Sequence, residues 1–150
     1  PEIFDMVLLD YNVLQLDREE VIDKLHESGI GVVAGTVLAQ GHLVKGQIGS
    51  IKNGSFFWYL ARSLLKTTSR RLANASRDMR NVLSSISEMS PAQAAFVYIL
   101  SNTKISSCVF GTTNINNCIE IIESSGKRLS ENNMLAIRKS FERLKNTISA

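Results

Sequence analysis

The sequence predicts an α/β fold with parallel strands, and three observations carry that prediction. Apolar runs at Ile3 to Leu9, Ile30 to Ala34 and Ile105 to Phe110 have the length and continuity of strands buried in a parallel sheet. Apolar stripes at helical spacing lie between and after them. Glycines and capping residues punctuate the junctions. Strand and helix alternating in this way point to a parallel sheet with helices packed on it.

Each element has its own warrant. The first run is broken only by Asp5. Asp17 is a candidate N-cap, and Val21, Ile22 and Leu25 mark the apolar stripe of the helix it opens. That helix stops at Gly29, a residue suited to the left-handed position after a helix. After the second strand, Gly35 to Gly54 is glycine-rich and irregular. Phe56, Phe57, Trp58 and Tyr59 form an aromatic cluster, and helical patterning runs from there to Leu65 and again from about Arg70 to Ile86. Ser90-Pro91-Ala92-Gln93 is a capping box with proline at the first helical position. Its helix runs through Ala94, Ala95, Val97, Tyr98 and Leu100 to about Asn102. After the third strand, a helix from about Ile115 to Ser124 ends at Gly126. Ser130 caps a last helix with Leu135, Ile137, Phe141 and Leu144 on its apolar side.

The chain has 150 residues, enough for one domain with a real core, and the domain expected is the whole of 1–150. No apolar run is long enough to span a bilayer, and no basic-then-apolar segment opens the chain, so no membrane association is expected. Residue 1 is Pro, which suggests a processed or excised piece. Cys108 and Cys118 lack CxxC spacing, so zinc is not expected, and two unpaired thiols suit a reducing cytoplasm. The net charge is +3 but uneven. Residues 1–30 are acidic, whereas Arg62, Lys66, Arg70, Arg71, Arg77 and Arg80 face only Asp78 in their segment. A solvated helix face explains that segment better than nucleic-acid binding, because no aromatics are interleaved with the arginines. His26 and His42 have no carboxylate or thiol at metal or triad spacing and are assigned no catalysis.

The strongest chemical signal is Val109 to Glu120, a strand, a glycine turn at Gly111 and a helix start at Asn114-Ile115. Such a junction aims backbone N–H groups at one spot and favours anions. The strand ends near Tyr11 and Thr36 are polar in the same way, so three strands converge on one expected ligand site. Tyr11 is a candidate for the substrate mouth, with a packing tyrosine as the alternative. Phe56 to Tyr59 suit a lid, a lipid contact, a partner interface or simple packing, and Lys45 and Lys52 suit either phosphate contact or solvation.

Three segments resemble the C-terminal half of an aldo-keto reductase, the NADP(H)-dependent (β/α)8-barrel family. Phe4-Asp5-Met6-Val7-Leu8-Leu9-Asp10-Tyr11-Asn12-Val13-Leu14 looks like the sixth barrel strand and its "Tyr-Asn-x-Leu" turn. Gly29 to Gly41 is similar to the seventh strand and the "SPLAQG" loop. Ser90 to Ala95, then Ser106 to Ile122, look like the helix before strand eight, strand eight and its phosphate-binding loop. The resemblance implies a partial TIM barrel, a half-barrel of about three parallel strands equivalent to strands 6–8. Three strands are too few to close a barrel, so a homo-oligomer or a complementary N-terminal half-barrel is expected as partner.

The resemblance also implies NADP as cofactor. Thr36, Leu38 and Gln40 match the pyrophosphate loop, Gly111, Thr112, Thr113 and Asn114 match the loop around the adenosine phosphate, and Glu120 matches a family acid that contacts the adenine, with Asn117 at a further cofactor-binding position. The family's catalytic Asp, Tyr, Lys and His lie in the other half of the barrel, so no catalytic residue is carried over. Leu8 stands where many members have a Gln that bonds the nicotinamide amide, and Gly35 where an aromatic or Arg packs on its ring. Asn117 stands where an Arg or Gln usually meets the 2′-phosphate, and these three positions weaken the NADP expectation. The function implied is the cofactor-binding side of an NADP(H)-dependent reductase of aldehydes or ketones. The alternative is a non-catalytic half-barrel scaffold or regulatory subunit with a vestigial nucleotide site.

Overall fold

A computed structural model describes residues 4–39, 43 and 77–149. Gln40, His42, Lys45, Lys52, the aromatic run 56–59 and the arginine-rich residues up to 71 lie outside the described residues. The elements are β1 (Met6–Asp10), a 3-10 turn at Leu16–Arg18, α1 (Glu19–Glu27), β2 (Gly31–Gly35), α2 (residues 77–84), α3 (Pro91–Leu100), β3 (Ser107–Cys108), α4 (Ile115–Ile122) and α5 (Glu131–Ser149). The three strands form one sheet in the order β1-β2-β3, and both pairings are parallel. The α/β class with parallel strands is therefore as the sequence predicts.

Register follows from the pleat. Met6 pairs with Gly31, Leu8 with Val33 and Asp10 with Gly35, and Val33 pairs in turn with Ser107. One face of β2 presents Val32 and Ala34, both fully buried under the helices. Ile22 of α1, most of α3, and Ile137, Phe141 and Leu144 of α5 complete that core. The other face carries Met6, Leu8 and Val109, which are 60%, 65% and 47% exposed. Burial of β1 on both faces is thus not observed, because among the described residues the helices cover one side of the sheet. β3 is shorter than its apolar run, yet Ser106 N–H donates to Val32 O and Val109 N–H to Ala34 O, so the chain follows β2 from 106 to 109.

The helix boundaries show which local signals decide. Asp17 falls inside the 3-10 turn, and α1 starts at Glu19 with no side-chain cap. Glu19 and Glu20 in its first turn suit the positive end of the helix dipole instead. At the other end Gly29 adopts φ +73°, its N–H donates to His26 O and Ile30 N–H to Leu25 O. That pair of bonds is a Schellman motif, and it turns the chain straight into β2. The capping box of α3 forms in both directions, each bond 3.2 Å between Ser90 and Gln93. α3 is apolar on every side and sits in the middle of the core, with Ala92 to Ile99 buried. Gln93 Nε2 also donates to Glu120 O at 2.8 Å, and Phe96 meets Phe110 edge-on at 5.2 Å. These contacts fix α4, and the loop before it, against α3.

Candidate functional site

In a parallel sheet with helical crossovers, all strands end at the same edge, and the loops leaving that edge form the ligand site. Here the three loops start at Asp10, Gly35 and Cys108.

The first loop is held by side chains. Tyr11 N–H donates to Gly35 O at 3.1 Å. Asn12 is buried; its Oδ1 accepts from Leu14 N–H at 3.0 Å and its Nδ2 donates to Gln15 Oε1 at 2.8 Å and Thr36 Oγ1 at 3.5 Å. The Tyr-Asn-x-Leu turn is therefore a clip that ties the end of β1 to the end of β2. The Tyr11 ring turns into the core, 1% exposed, and its hydroxyl donates to Glu19 Oε1 at 3.1 Å. The substrate-mouth position is thus filled by a side chain that faces the helices, not open solvent. Burial, and then the Glu19 carboxylate, push the Tyr11 phenol far above its usual range.

Glu19 belongs to a cluster that sequence reasoning missed. Arg138 Nη1 of α5 lies 2.5 and 2.6 Å from its two carboxylate oxygens. The Tyr98 hydroxyl sits beside Arg138, and burial raises its phenol above the ordinary value. The partners are 119 residues apart, and the only sequence signal was a cation next to Ile137 on the apolar side of α5.

The loop after β2 is conformationally unusual. Thr36 has φ +50° and Ala39 φ +47°, the left-handed region that side chains with a Cβ rarely adopt. Ala39 N–H closes the turn onto Thr36 O at 2.7 Å. Val37 is buried beneath it, and Leu38 is half-buried. Two strained residues in four cost on the order of 1–3 kcal/mol each and persist where the surroundings over-determine them. Gly35, just before, lies under two side chains: a Cβ there would stand 3.4 Å from Asp10 Oδ1 and 3.6 Å from Leu8 Cδ1.

The loop after β3 is a small polar network. Thr112 Oγ1 accepts from Asn114 N–H at 3.1 Å and from Asn117 Nδ2 at 3.3 Å. Asn114 caps α4, its Oδ1 accepting from Asn116 N–H at 2.9 Å. Glu120 lies three residues beyond Asn117, on the same helix face. Gly111, Thr112, Thr113 and Asn114 are exposed, and Asn117 and Glu120 are half-buried. The structure thus brings Gly111, Thr112, Thr113, Asn114, Asn117 and Glu120 together. It sets Thr36 and Leu38 at the adjoining strand end, because Ala34 and Cys108 are register partners.

Other features bear no relation to this edge. An open cavity of about 570 Å³, lined by Tyr98, Leu129, Glu131, Met134, Leu135 and Arg138, lies between α3 and α5 and contains none of the expected site residues. Cys108 and Cys118 are free thiols, and burial pushes Cys108 up to about 11. Among the described residues no three His, Cys, Asp or Glu side chains are grouped to hold a metal. Among the same residues no helix is long and apolar enough to cross a membrane.

Comparison with known proteins decides the lineage. The model of the aldo/keto reductase family matches residues 3–142. The chain belongs to that family. Among solved structures, aldo-keto reductase AKR11C1 from Bacillus halodurans in its holo form aligns with a TM-score of 0.64 at 16% identity, over 90% of this chain and 42% of that one. Its apo form gives the same TM-score and identity over 91% and 43%. At this identity the likeness concerns the fold, and this chain spans less than half the length of those aldo-keto reductases. A search of curated protein sequences gives no match. The aldo/keto reductase assignment gives the parallel sheet its context as part of a TIM barrel.

Proposed function

We propose that this chain is the cofactor-side part of a carbonyl oxidoreductase of the aldo/keto reductase family, a single domain over 1–150 that acts on a small aldehyde or ketone. The observation that carries the reading is a pair of adjoining loops at the C-terminal edge of the sheet, the left-handed turn Thr36 to Ala39 and the polar network Gly111 to Asn117. A left-handed turn beside a capped helix start suits the ribose and pyrophosphate of a nicotinamide dinucleotide. When bound, such a cofactor supplies the hydride, and the chain's task is to hold and orient it. Leu38 gives apolar cover, Gln40 a further polar contact, and Glu120 an acceptor for the adenosine. Tyr11 supports the turn from behind, its N–H on Gly35 O and its hydroxyl on Glu19, beside the Asn12 amide that reaches Thr36. The proton donor and the remaining catalytic groups come from a complementary N-terminal half-barrel or from a second copy of the chain. The exposed Met6, Leu8 and Val109 face is the surface that such a companion covers. The compartment proposed is the cytoplasm, from the two free thiols.

A second reading, a non-catalytic scaffold or regulatory subunit, is favoured by two residues. Leu8 offers no hydrogen bond at the sheet face, and Gly35 no ring to stack on nicotinamide. Titration with NADH and NADPH, followed through the single Trp58, separates the two. Saturable binding of either dinucleotide at micromolar concentration is the expected result. No binding of either, together with a stable dimer in light scattering, would replace the reductase reading with the scaffold.

A further inference from the structure

We infer that the loop after β3 is built for an adenosine with a free 2′-hydroxyl and works against a 2′-phosphate. The inference rests on the dinucleotide reading above and narrows it to the class of dinucleotide.

Four observations point the same way. Four N–H donors at or beside the start of α4 are spent inside the loop. Asn114 N–H goes to Thr112 Oγ1, Asn116 N–H to Asn114 Oδ1, and Asn117 N–H and Cys118 N–H both return to Asn114 O, at 3.2 and 3.3 Å. The Asn117 amide, which could otherwise donate outward, bonds Thr112 Oγ1. Residues 105–126 contain no Lys or Arg and carry Glu120 and Glu123. The flanking lysines of the described residues are committed. Lys104 pairs with Asp23 at 2.8 Å, and Lys127 donates at 3.2 Å to Gln93 Oε1, the side chain whose Nε2 holds Glu120 O.

A phosphate monoester carries about −1.5 to −2 charges at neutral pH and needs a guanidinium, an ammonium or several unspent N–H donors. This loop offers it a carboxylate on the same helix face as Asn117. A ribose hydroxyl has the opposite demand, since it donates as well as accepts, and a carboxylate is its natural acceptor. Among the described residues, those of this loop therefore fit the unphosphorylated adenosine and do not fit the 2′-phosphate that the family resemblance implies.

Calorimetric titration of the intact protein with ADP and with 2′-phospho-ADP tests this directly. ADP is expected to bind about tenfold or more tightly than its 2′-phosphorylated counterpart. Asn117→Arg should raise the affinity for 2′-phospho-ADP relative to that for ADP about tenfold, and Glu120→Gln should weaken ADP binding. Equal affinities, or tighter binding of 2′-phospho-ADP to the unaltered protein, would overturn the inference and leave the dinucleotide reading in place. Binding of neither ligand would overturn both. Circular dichroism of each variant separates loss of contact from loss of fold.

Discussion

The pair Glu19–Arg138 joins the first helix to the last, and Tyr11 adds its hydroxyl to the same carboxylate. Because Arg138 and Glu19 side chains are 42% and 30% exposed, solvent screens the pair and its charge contributes modestly. Tyr11→Phe should cost about 1 kcal/mol and Arg138→Met about 1 kcal/mol, read as a lower midpoint in urea. A second residue sets behaviour in alkali. Cys108 is raised from 9.0 to about 11, so above pH 9 the unfolded thiol loses its proton while the folded one keeps it. The native state then holds more protons, and stability falls as pH rises from 9 to 11, by at most about 1.4 kcal/mol per pH unit. Urea midpoints across that range should decline in the parent, and Cys108→Ala should lessen the decline between pH 9 and 10, below the range in which the raised phenols of Tyr11 and Tyr98 add to it. Single residues were legible in the sequence where their partner is local. Ser90 with Gln93, Gly29 after its helix and Asn114 before its helix all use bonds within a few residues. Glu19 with Arg138 was not, because nothing in a linear chain announces a contact 119 positions away.

Elements obey the same division. α3 begins at its capping box and ends close to where its apolar residues end, since both signals lie inside the element. Ser90→Ala should lower stability by about 1 kcal/mol, because Gln93 N–H loses its acceptor at a helix end packed in the core. Loss smaller than a few tenths in thermal or urea unfolding would mean that the cap is idle. The strands were legible as strands, but their apolar composition did not say which faces are covered. Leu8 and Val33 are equally suited to a core, yet one is 65% exposed and the other half-buried, because cover depends on elements elsewhere in space. The loop after β2 shows the opposite limit. Its Thr36 and Ala39 have no glycine signature for φ near +50°, and the bond from Ala39 N–H to Thr36 O together with the tertiary tie from Asn12 to Thr36 holds them there.

At the scale of the whole molecule, the described residues make one side of the sheet a packed core and leave Met6, Leu8 and Val109 exposed on the other. The aldo/keto reductase fold was legible because three ordered motifs span nearly the full chain, and their order survives low identity. The candidate site was legible as two loops, and its selectivity was not, because selectivity depends on which donors the loop spends on itself. Binding at the sheet edge is the claim on which the functional account stands. Nuclear magnetic resonance of the isotope-labelled protein titrated with NADH tests it most directly. The account predicts saturable shifts in the amides of Thr36, Leu38, Thr112, Thr113, Asn117 and Glu120, with α5 unmoved. Shifts confined to the cavity beside Tyr98 and Arg138, or no shifts at all, would contradict it.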